Sequence, residues 1–182
     1  MPNTFSGNGT LSGVATITSA AVTYALGDTG PGGGIIFYDA GSSQSWGRFM
    51  ESAPKTGLNA WVDVQRPWST IATTNLNGFI SAVGTGLSNT LAIINADSGN
   101  NAANTARAYR GPNNLDDWFL PSQNELLLLS AYGGLGGQYH WSSTGAAGGY
   151  GNDAYYVVGS TQNTYMVGKD FTGWVRPIRW FN

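Results

Sequence analysis

The clearest helical pattern lies in the middle of the chain, where a capping box precedes an apolar run. Ser122 can accept a hydrogen bond from the amide of Glu125, and the Glu125 carboxylate can reach back to the Ser122 amide. The leucines at 126–129 then predict a helix that is buried on more than one side, and the glycines at 133–134 end it. Glu125 therefore has a structural role and is discounted as a catalytic acid.

Two further segments have helical spacing. Residues 91–96 are mostly apolar and follow Ser88 and Asn89, either of which is a good N-cap residue. Residues 102–110 form a second helical piece, and the polar segment 97–101 separates the two. Both segments are therefore predicted to be helical.

Short runs rich in β-branched and aromatic residues predict strands, most of them in the last third of the chain. These runs lie at residues 35–38, 61–64, 141–144, 154–158, 164–167 and 174–181. The first of them follows a glycine-rich turn at 27–34, which resembles a phosphate-binding loop only superficially. Such a loop needs a Lys-Ser/Thr pair and a following helix, whereas here a strand follows. The turn is therefore predicted to be a tight entry into a buried strand.

Residues 1–25 form a separate piece, with small, β-branched and turn-forming residues and no charged side chain before Asp28. They predict an extended, β-prone N-terminal arm, and a lone hairpin of this kind is marginal in water. We expect the arm to pair with the main domain, a second copy or another protein; a flexible linker is the alternative. The chain thus divides into a docking or oligomerisation arm at 1–25 and one domain at 26–182.

Composition narrows the class of protein. A chain of 182 residues suits one domain with or without an arm, and only 10% of the residues are charged, against roughly 25% in an average soluble domain. With 27 glycines and 13% aromatic residues, the chain is typical of a loop-rich fold that contains β-structure. The eight basic residues are scattered singly, so nucleic acid is not an expected partner. No apolar stretch approaches the ~20 residues that a membrane-spanning helix needs, so no membrane insertion is expected.

The lack of cysteine and the presence of only one histidine exclude several kinds of functional site. The chain has no cysteine, which excludes disulfides, thiolate nucleophiles and cysteine-ligated zinc. His140 is the one histidine, so a site of several histidines cannot form within one chain. No metal and no cofactor are predicted. The first residues lack a basic segment followed by an apolar one. We therefore expect that a signal was removed before residue 1, or that the protein leaves the cell without one, as a phage structural protein does on lysis.

Several blocks of sequence follow one another in a specific order. They are Gly-Asp-Thr-Gly-Pro-Gly-Gly-Gly-Ile-Ile-Phe-Tyr at 27–38, Gly-Thr-Gly at 84–86 with Asn-Thr at 89–90, Asp-Trp-Phe-Leu-Pro-Ser at 117–122 with Glu-Leu at 125–126, Trp-Ser-Ser at 141–143, and Val-Arg at 175–176 with Arg179 and Phe181. In order and spacing they resemble the Lcl C-terminal-like domains of bacterial collagen-like adhesins, other surface proteins and phage proteins. The resemblance covers about residues 24–182.

The resemblance implies an α+β, C-type-lectin-like fold. Such a fold has a small twisted antiparallel sheet with two main helices and long loops, and its N- and C-terminal strands pair. Related folds also serve as variable tip proteins, in which the loops and strands after the second helix present exposed, changeable side chains. In this chain that region is about residues 139–163.

This chain departs from two chemistries of related folds. Sugar-binding C-type lectins carry Glu-Pro-Asn-like and Trp-Asn-Asp-like calcium motifs, whereas this chain has Trp-Ser-Ser at 141–143 and no Glu-Pro-Asn. Calcium takes about six to eight oxygen ligands, and the late loops offer only Asp153 and Asp170 as carboxylates. A calcium-dependent sugar site is therefore not predicted. The formylglycine-generating branch needs paired cysteines, which this chain lacks.

The candidate binding residues come from the loop-rich region after the last helix. Tyrosine beside asparagine and glycine suits a recognition surface, because the ring is rigid and apolar and its tip is polar. Ordinary surface tyrosines are the alternative. Strand alternation places one of Tyr155 and Tyr156 inward and one outward. The candidate ligand-binding residues are His140, Tyr150, Asn152, Asp153, Tyr155 and Asn163.

Three aromatic residues of the resembling blocks are expected in the core instead of at a binding surface. They are Trp118, Trp141 and Phe181.

Catalysis has less support than binding. Glycoside hydrolysis needs two carboxylates facing each other across a sugar, and the candidates include Glu51, Asp116, Asp117 and Asp153. Asp116 and Asp117 are adjacent, however, and would point opposite ways on an extended chain. Glu51 is expected in a structural ion pair. Ser142 lies close to His140 but lacks the strained elbow of a nucleophilic serine. The chain is therefore predicted not to be an enzyme.

The leading hypothesis is a non-catalytic virion surface protein, either a tail-fibre tip or a capsid decoration. Its loops would bind a host-surface protein or glycan, and the arm at 1–25 would dock it to other virion proteins or to sister copies in a homo-oligomer. The first alternative is a domain of a bacterial extracellular adhesin, which would lie at the cell surface or be secreted. The second is a hydrolase that acts on surface polysaccharide.

Overall fold

The computed structural model describes residues 23–71, 79–147 and 150–182, so most of the predicted arm at 1–25 lies outside the described residues. The described residues form three helices and two β-sheets, and the fold is α+β as predicted. In chain order the elements are β1 (Ile35–Gln44), β2 (Gly47–Ser52), β3 (Gln65–Pro67), α1 (Gly86–Ala96), α2 (Ala102–Ala108), α3 (Gln123–Ala131), β4 (Tyr139–Gly145), β5 (Asp153–Val158), β6 (Asn163–Gly168), β7 (Thr172–Trp174) and β8 (Ile178–Phe181).

The first sheet has the strand order β1-β2-β8, and both of its pairs are antiparallel. β1 and β2 form a hairpin, in which Ile35 lies opposite Ser52 and Gln44 opposite Gly47. The expected direct pairing of the N- and C-terminal strands is wrong, because β2 lies between β1 and β8. A hairpin closes a short loop, so this local pairing costs less chain entropy than a long-range one.

The second sheet has the strand order β3-β7-β4-β5-β6 and is antiparallel except between β4 and β7. The described residues thus form two sheets, where the resemblance implied a single small one. The strand predicted at 174–181 is interrupted, since the chain leaves the second sheet after β7 and enters the first as β8. Pro177 lies in this crossing, between the two strands. No ladder hydrogen bond is needed from its nitrogen there, so its lack of an N–H donor costs nothing.

The strand predicted at 61–64 is also wrong. These residues have no regular structure, and β3 begins directly after them. The buried Trp61 indole donates to the Val175 carbonyl at 3.0 Å, and the Val175 amide donates to the Val64 carbonyl at 3.0 Å. Ring packing and two long-range hydrogen bonds therefore hold this segment in place of a strand ladder.

The helix α3 matches its prediction. Ser122 is the N-cap: its hydroxyl accepts from the Glu125 amide at 3.3 Å, and the Glu125 carboxylate accepts from the Ser122 amide at 2.7 Å. Leu126 and Leu129 are fully buried. Gly133 follows the helix with a φ of +89°, in the left-handed region that favours glycine.

The start of α1 differs from its prediction. The helix begins at Gly86 after Thr85, which makes no side-chain cap, so neither Ser88 nor Asn89 is the N-cap. Asn89 is buried within the helix, and its side-chain amide donates to the Ile80 carbonyl at 2.8 Å. The Asn89 side chain, which the sequence predicted as a possible cap, therefore binds the backbone of the segment before the helix instead.

The end of α2 also reflects tertiary packing. The helix stops at Ala108, two residues before the predicted end at 110, because Tyr109 turns into extended backbone. Its ring packs edge-on against Trp61 and Trp118, with centroid distances of 5.2 and 5.1 Å.

Trp118 and Trp141 are fully buried, which confirms their expected place in the core. Phe181 is only half-buried, so its prediction as a core residue is wrong; it stacks on Phe49 at 5.5 Å. At the described end of the arm, Tyr24 packs edge-on against both of these rings. Among the described residues, no helix has the length and apolar content needed to cross a membrane.

Candidate functional site

The glycine-rich turn before β1 binds a carboxylate that belongs to the chain itself. The amides of Gly32 and Gly34 donate to the two oxygens of Glu51, at 2.7 and 2.9 Å. A side chain at Gly34 would lie only 2.1 Å from the Ser52 carbonyl oxygen, so the strand approaches too closely for any other residue. The prediction of a structural turn that leads into a strand is confirmed.

Arg179 joins this turn to the loop before α3. Its guanidinium donates to Glu51 and makes a bidentate pair with Asp117, at 2.7 and 2.6 Å. The predicted structural ion pair of Glu51 is therefore confirmed. Burial opposes the charge on Arg179, but the hydrogen bonds that it donates to Asp117 and Glu51 hold the pKa of this guanidinium above its usual value. One arginine thus binds both of these carboxylates.

A group of four aromatic rings, two exposed and two half-buried, lies on the second sheet. We define the aromatic face as Tyr139, Tyr156, Tyr165 and Phe171. The rings of Tyr156 and Tyr165 stack at 5.6 Å, and those of Tyr139 and Phe171 lie 5.6 Å apart. Tyr139 also meets Tyr156 edge-on at 5.9 Å. Tyr165 is 48% exposed and Phe171 is 42% exposed, so the outer end of the cluster lies open to solvent.

Strand register explains why these rings meet. Tyr156 of β5 lies opposite Trp141 of β4 on one side and Tyr165 of β6 on the other. Residues that face each other across antiparallel strands point to the same side of the sheet. The Trp141 ring is buried against Tyr156 at 6.1 Å, and its indole donates to the Arg66 carbonyl at 2.9 Å. A fixed tryptophan therefore supports the stack of Tyr156 on Tyr165.

His140 does not belong to the exposed surface. It is only 1% exposed and points to the opposite side of β4 from Tyr139 and Trp141. Burial lowers the pKa of His140 to about 4, although a hydrogen bond to Gln138 opposes the change. Its inclusion among the ligand-facing residues is corrected here, because a neutral, buried ring cannot contact a ligand on the surface.

The other predicted binding residues divide into two groups. Tyr150 is 61% exposed, and Asn152 and Asn163 are exposed as well. Asp153 and Tyr155 are half-buried. Of these residues, Asn163 lies beside the aromatic face, because its side-chain amide donates to the Tyr165 hydroxyl at 3.3 Å.

Tyr155 and Tyr156 lie on opposite sides of β5, as alternation predicts, and face Met166 and Tyr165 respectively. The expected split into an inward and an outward ring is nevertheless wrong, since both side chains are half-buried. Each side of this sheet is covered along only part of its length.

Tyr156 and Tyr165 belong to the tyrosines of the loop-rich region that suit a recognition surface, although neither is among the six candidate binding residues, and no sequence signal indicated Tyr139 or Phe171. Phe171 lies in the turn between β6 and β7, where its amide donates to the Gly168 carbonyl at 2.9 Å, so no strand periodicity could place it. The strand pattern at 164–167 contained Tyr165, but only the register could show which rings it meets.

No group of three or more His, Asp or Glu side chains within the described ranges is placed to hold a metal ion. A scan against models of protein families matches none of them to this chain, and a search of curated proteins finds no similar one. The resemblance to Lcl C-terminal-like domains therefore stays a prediction that rests on the residues quoted for it.

Proposed function

We propose that this chain is a non-catalytic recognition protein of a virion surface, and that its aromatic face binds a glycan of the host envelope. The observation that carries the proposal is the mutually packed, partly exposed set of rings on β4, β5, β6 and the β6–β7 turn. A sugar presents apolar C–H faces and a rim of hydroxyl groups. Ring faces with polar tips match both parts.

Order within the aromatic face favours binding. Tyr156 and Tyr165 are stacked with an interplanar angle of 28°, and the buried Trp141 packs edge-on against Tyr156. Rings that are already held in place lose little conformational entropy when a ligand is bound. The exposed Asn163 amide lies at the edge of this face, where it can meet sugar hydroxyls.

The proposal includes a C-type-lectin-like fold. The α+β architecture supports it, as does the way in which the resembling blocks meet one another. The glycine turn at 27–34, the block at 117–122 and Arg179 come together through the Glu51 and Asp117 ion pairs. Blocks of one family motif are expected to contact one another when they build a shared scaffold.

The virion setting is supported by the low charge content, the absence of cysteine and the β-prone composition of residues 1–25. That arm would dock the domain to other virion proteins or to sister copies. A bacterial extracellular adhesin is the alternative setting for the same binding domain. Stable trimers or pentamers of the full chain in a native mass spectrum would favour the virion setting, and a strict monomer would argue against it.

The test of the binding face is a double substitution, Tyr165→Ala with Phe171→Ala. We expect binding to an array of bacterial envelope glycans to weaken by about tenfold or more, since a few aromatic side chains commonly supply most of the binding energy of an interface. Leu58→Ala is the control, because Leu58 is a strongly exposed apolar residue outside the aromatic face. Unchanged glycan binding by a folded double variant would refute the assignment of this face.

A further inference from the structure

A second concave site lies away from the aromatic face. It is a cavity of about 420 Å³ whose lining includes Ser52, Lys55, Thr56, Tyr132 and Arg176. None of its lining residues in the described part of the chain belongs to the aromatic face. Its volume falls within the range of about 300–1,000 Å³ that small-molecule sites occupy.

Arg176 is the unusual feature of this cavity. The residue is only 4% exposed, and its Nε is buried with no hydrogen-bond acceptor among the described residues. Among the described residues, its guanidinium donates one hydrogen bond, a long contact of 3.5 Å from Nη1 to the Asp63 carboxylate. A guanidinium has five N–H donors, and a buried donor without an acceptor is costly. Most of the hydrogen-bonding capacity of this side chain is therefore left for another partner.

The charges around the cavity are unbalanced. Asp63 is shared between Lys55, at 3.1 Å, and Arg176, at 3.5 Å. Two cations thus face one carboxylate, which leaves one positive charge. The cavity lining contains no Asp or Glu among the described residues. A ligand with one negative charge would restore neutrality beside the buried guanidinium of Arg176.

We propose that this cavity binds a small organic carboxylate. The planar fork of Arg176 matches the two oxygens of a carboxylate, and Lys55 supplies a second cation at the rim. Tyr132 offers an apolar ring for the body of the ligand, and the hydroxyls of Ser52 and Thr56 can bind its polar groups. The carboxylate can belong to a sugar acid or to the C-terminus of a short peptide.

The test follows the Nε–H signal of Arg176 in ¹H–¹⁵N spectra of the full chain. Glucuronate and N-acetylalanine represent the two sources of carboxylate, and glucose and N-acetylalanine amide are their neutral counterparts. We expect a saturable shift with at least one acid and none with the neutral compounds, and the acid that saturates at lower concentration identifies the source. No saturable shift with either acid, an equal shift with the neutral compounds, or equally tight binding of inorganic phosphate would overturn the proposal.

Variants complete the test, and titration calorimetry measures their binding of the same acids, because Arg176→Met removes the Nε–H signal. Lys55→Gln changes a side chain that is 45% exposed, so the protein is expected to fold. We expect it to weaken carboxylate binding by about tenfold, as loss of a charge-assisted hydrogen bond does, and Arg176→Met to abolish it. Arg110→Gln removes an exposed cation outside the cavity and should leave binding unchanged. Carboxylate binding that is unaffected by Lys55→Gln and Arg176→Met would contradict the site even if the acids bind.

Discussion

Two arginines near the end of the chain lie in contrasting surroundings. Arg179, in the first sheet, donates to Glu51 and forms a bidentate pair with Asp117. Arg176, in the crossing between the sheets, is equally buried, but within the described residues it makes one long contact to Asp63, which Lys55 already binds. Burial of a charge therefore does not reveal its role. A guanidinium whose donors are satisfied within the chain stabilises the fold, whereas one with free donors is suited to binding.

The largest expected difference between the surroundings of Arg179 and those of Arg176 is in the free energy of unfolding that each side chain contributes. Arg179→Met should lower the free energy of unfolding by about 3–5 kcal/mol, because it leaves the buried Glu51 carboxylate without its cation. Arg176→Met should cost less than about 1 kcal/mol, since Asp63 keeps Lys55 as a partner and an apolar side chain can fill the site. Denaturant unfolding of both variants measures these values. Equal losses would remove the distinction drawn between the two arginines.

The next largest effect concerns pH in the Arg176 region. The charges of Asp63, Arg176 and Lys55 all act on the buried His140, but burial dominates and lowers its pKa from 6.5 to about 4. The unfolded chain takes up this proton near pH 6.5 and the folded protein only near pH 4. The contribution to stability is therefore complete above pH 6.5 and is lost as the pH falls to 4.

We expect wild type to lose about 3 kcal/mol relative to His140→Gln across that pH window, because one pKa unit corresponds to about 1.4 kcal/mol. Unfolding of the two proteins at matched pH values isolates this contribution, since Glu125 titrates in both of them. The pKa of Glu125 is raised to about 7 by burial, so its own contribution has the opposite sign and cancels in the difference. A constant difference between the two proteins would show that His140 is not buried in its neutral form.

The smallest effect tests the glycine turn in the Arg179 region. Gly34→Ala should cost about 1–3 kcal/mol, as overpacking does, because the added methyl group would lie 2.1 Å from the Ser52 carbonyl oxygen. Gly137→Ala is the matched control, since an added methyl group there meets nothing within 4 Å. Thermal unfolding compares the two. A Gly34→Ala variant as stable as wild type would mean that the turn can shift away from β2 and still donate its hydrogen bonds to Glu51.

Elements with local signals were predictable from the sequence. The capping box of α3, the glycine stop after it and the turn before β1 depend on residues a few positions apart. The strand predicted at 61–64 and the N-cap expected at Ser88 or Asn89 failed for a common reason. Long-range contacts of Trp61 and Asn89 determine the local conformation at these positions, and no short-range pattern reports them.

The candidate site was predictable only in its general location. The region after α3 supplied the exposed Tyr150, Asn152 and Asn163, but His140 from the same region is buried. The rings of the aromatic face come from three strands and a turn. Their proximity depends on strand register, because a shift by one residue would move each side chain to the other side of the sheet.

The sequence by itself determined the α+β class, the position and caps of α3, the turn that enters β1 and the exclusion of cysteine chemistry. Only the tertiary structure decided that the described part of the chain satisfies the donors of Arg179 and leaves those of Arg176 mostly unpaired. The partners of Arg179 lie 62 and 128 residues away in the chain. Capping and turn preferences act over a few residues, whereas the pairing and burial of a charge depend on which distant segments fold against it.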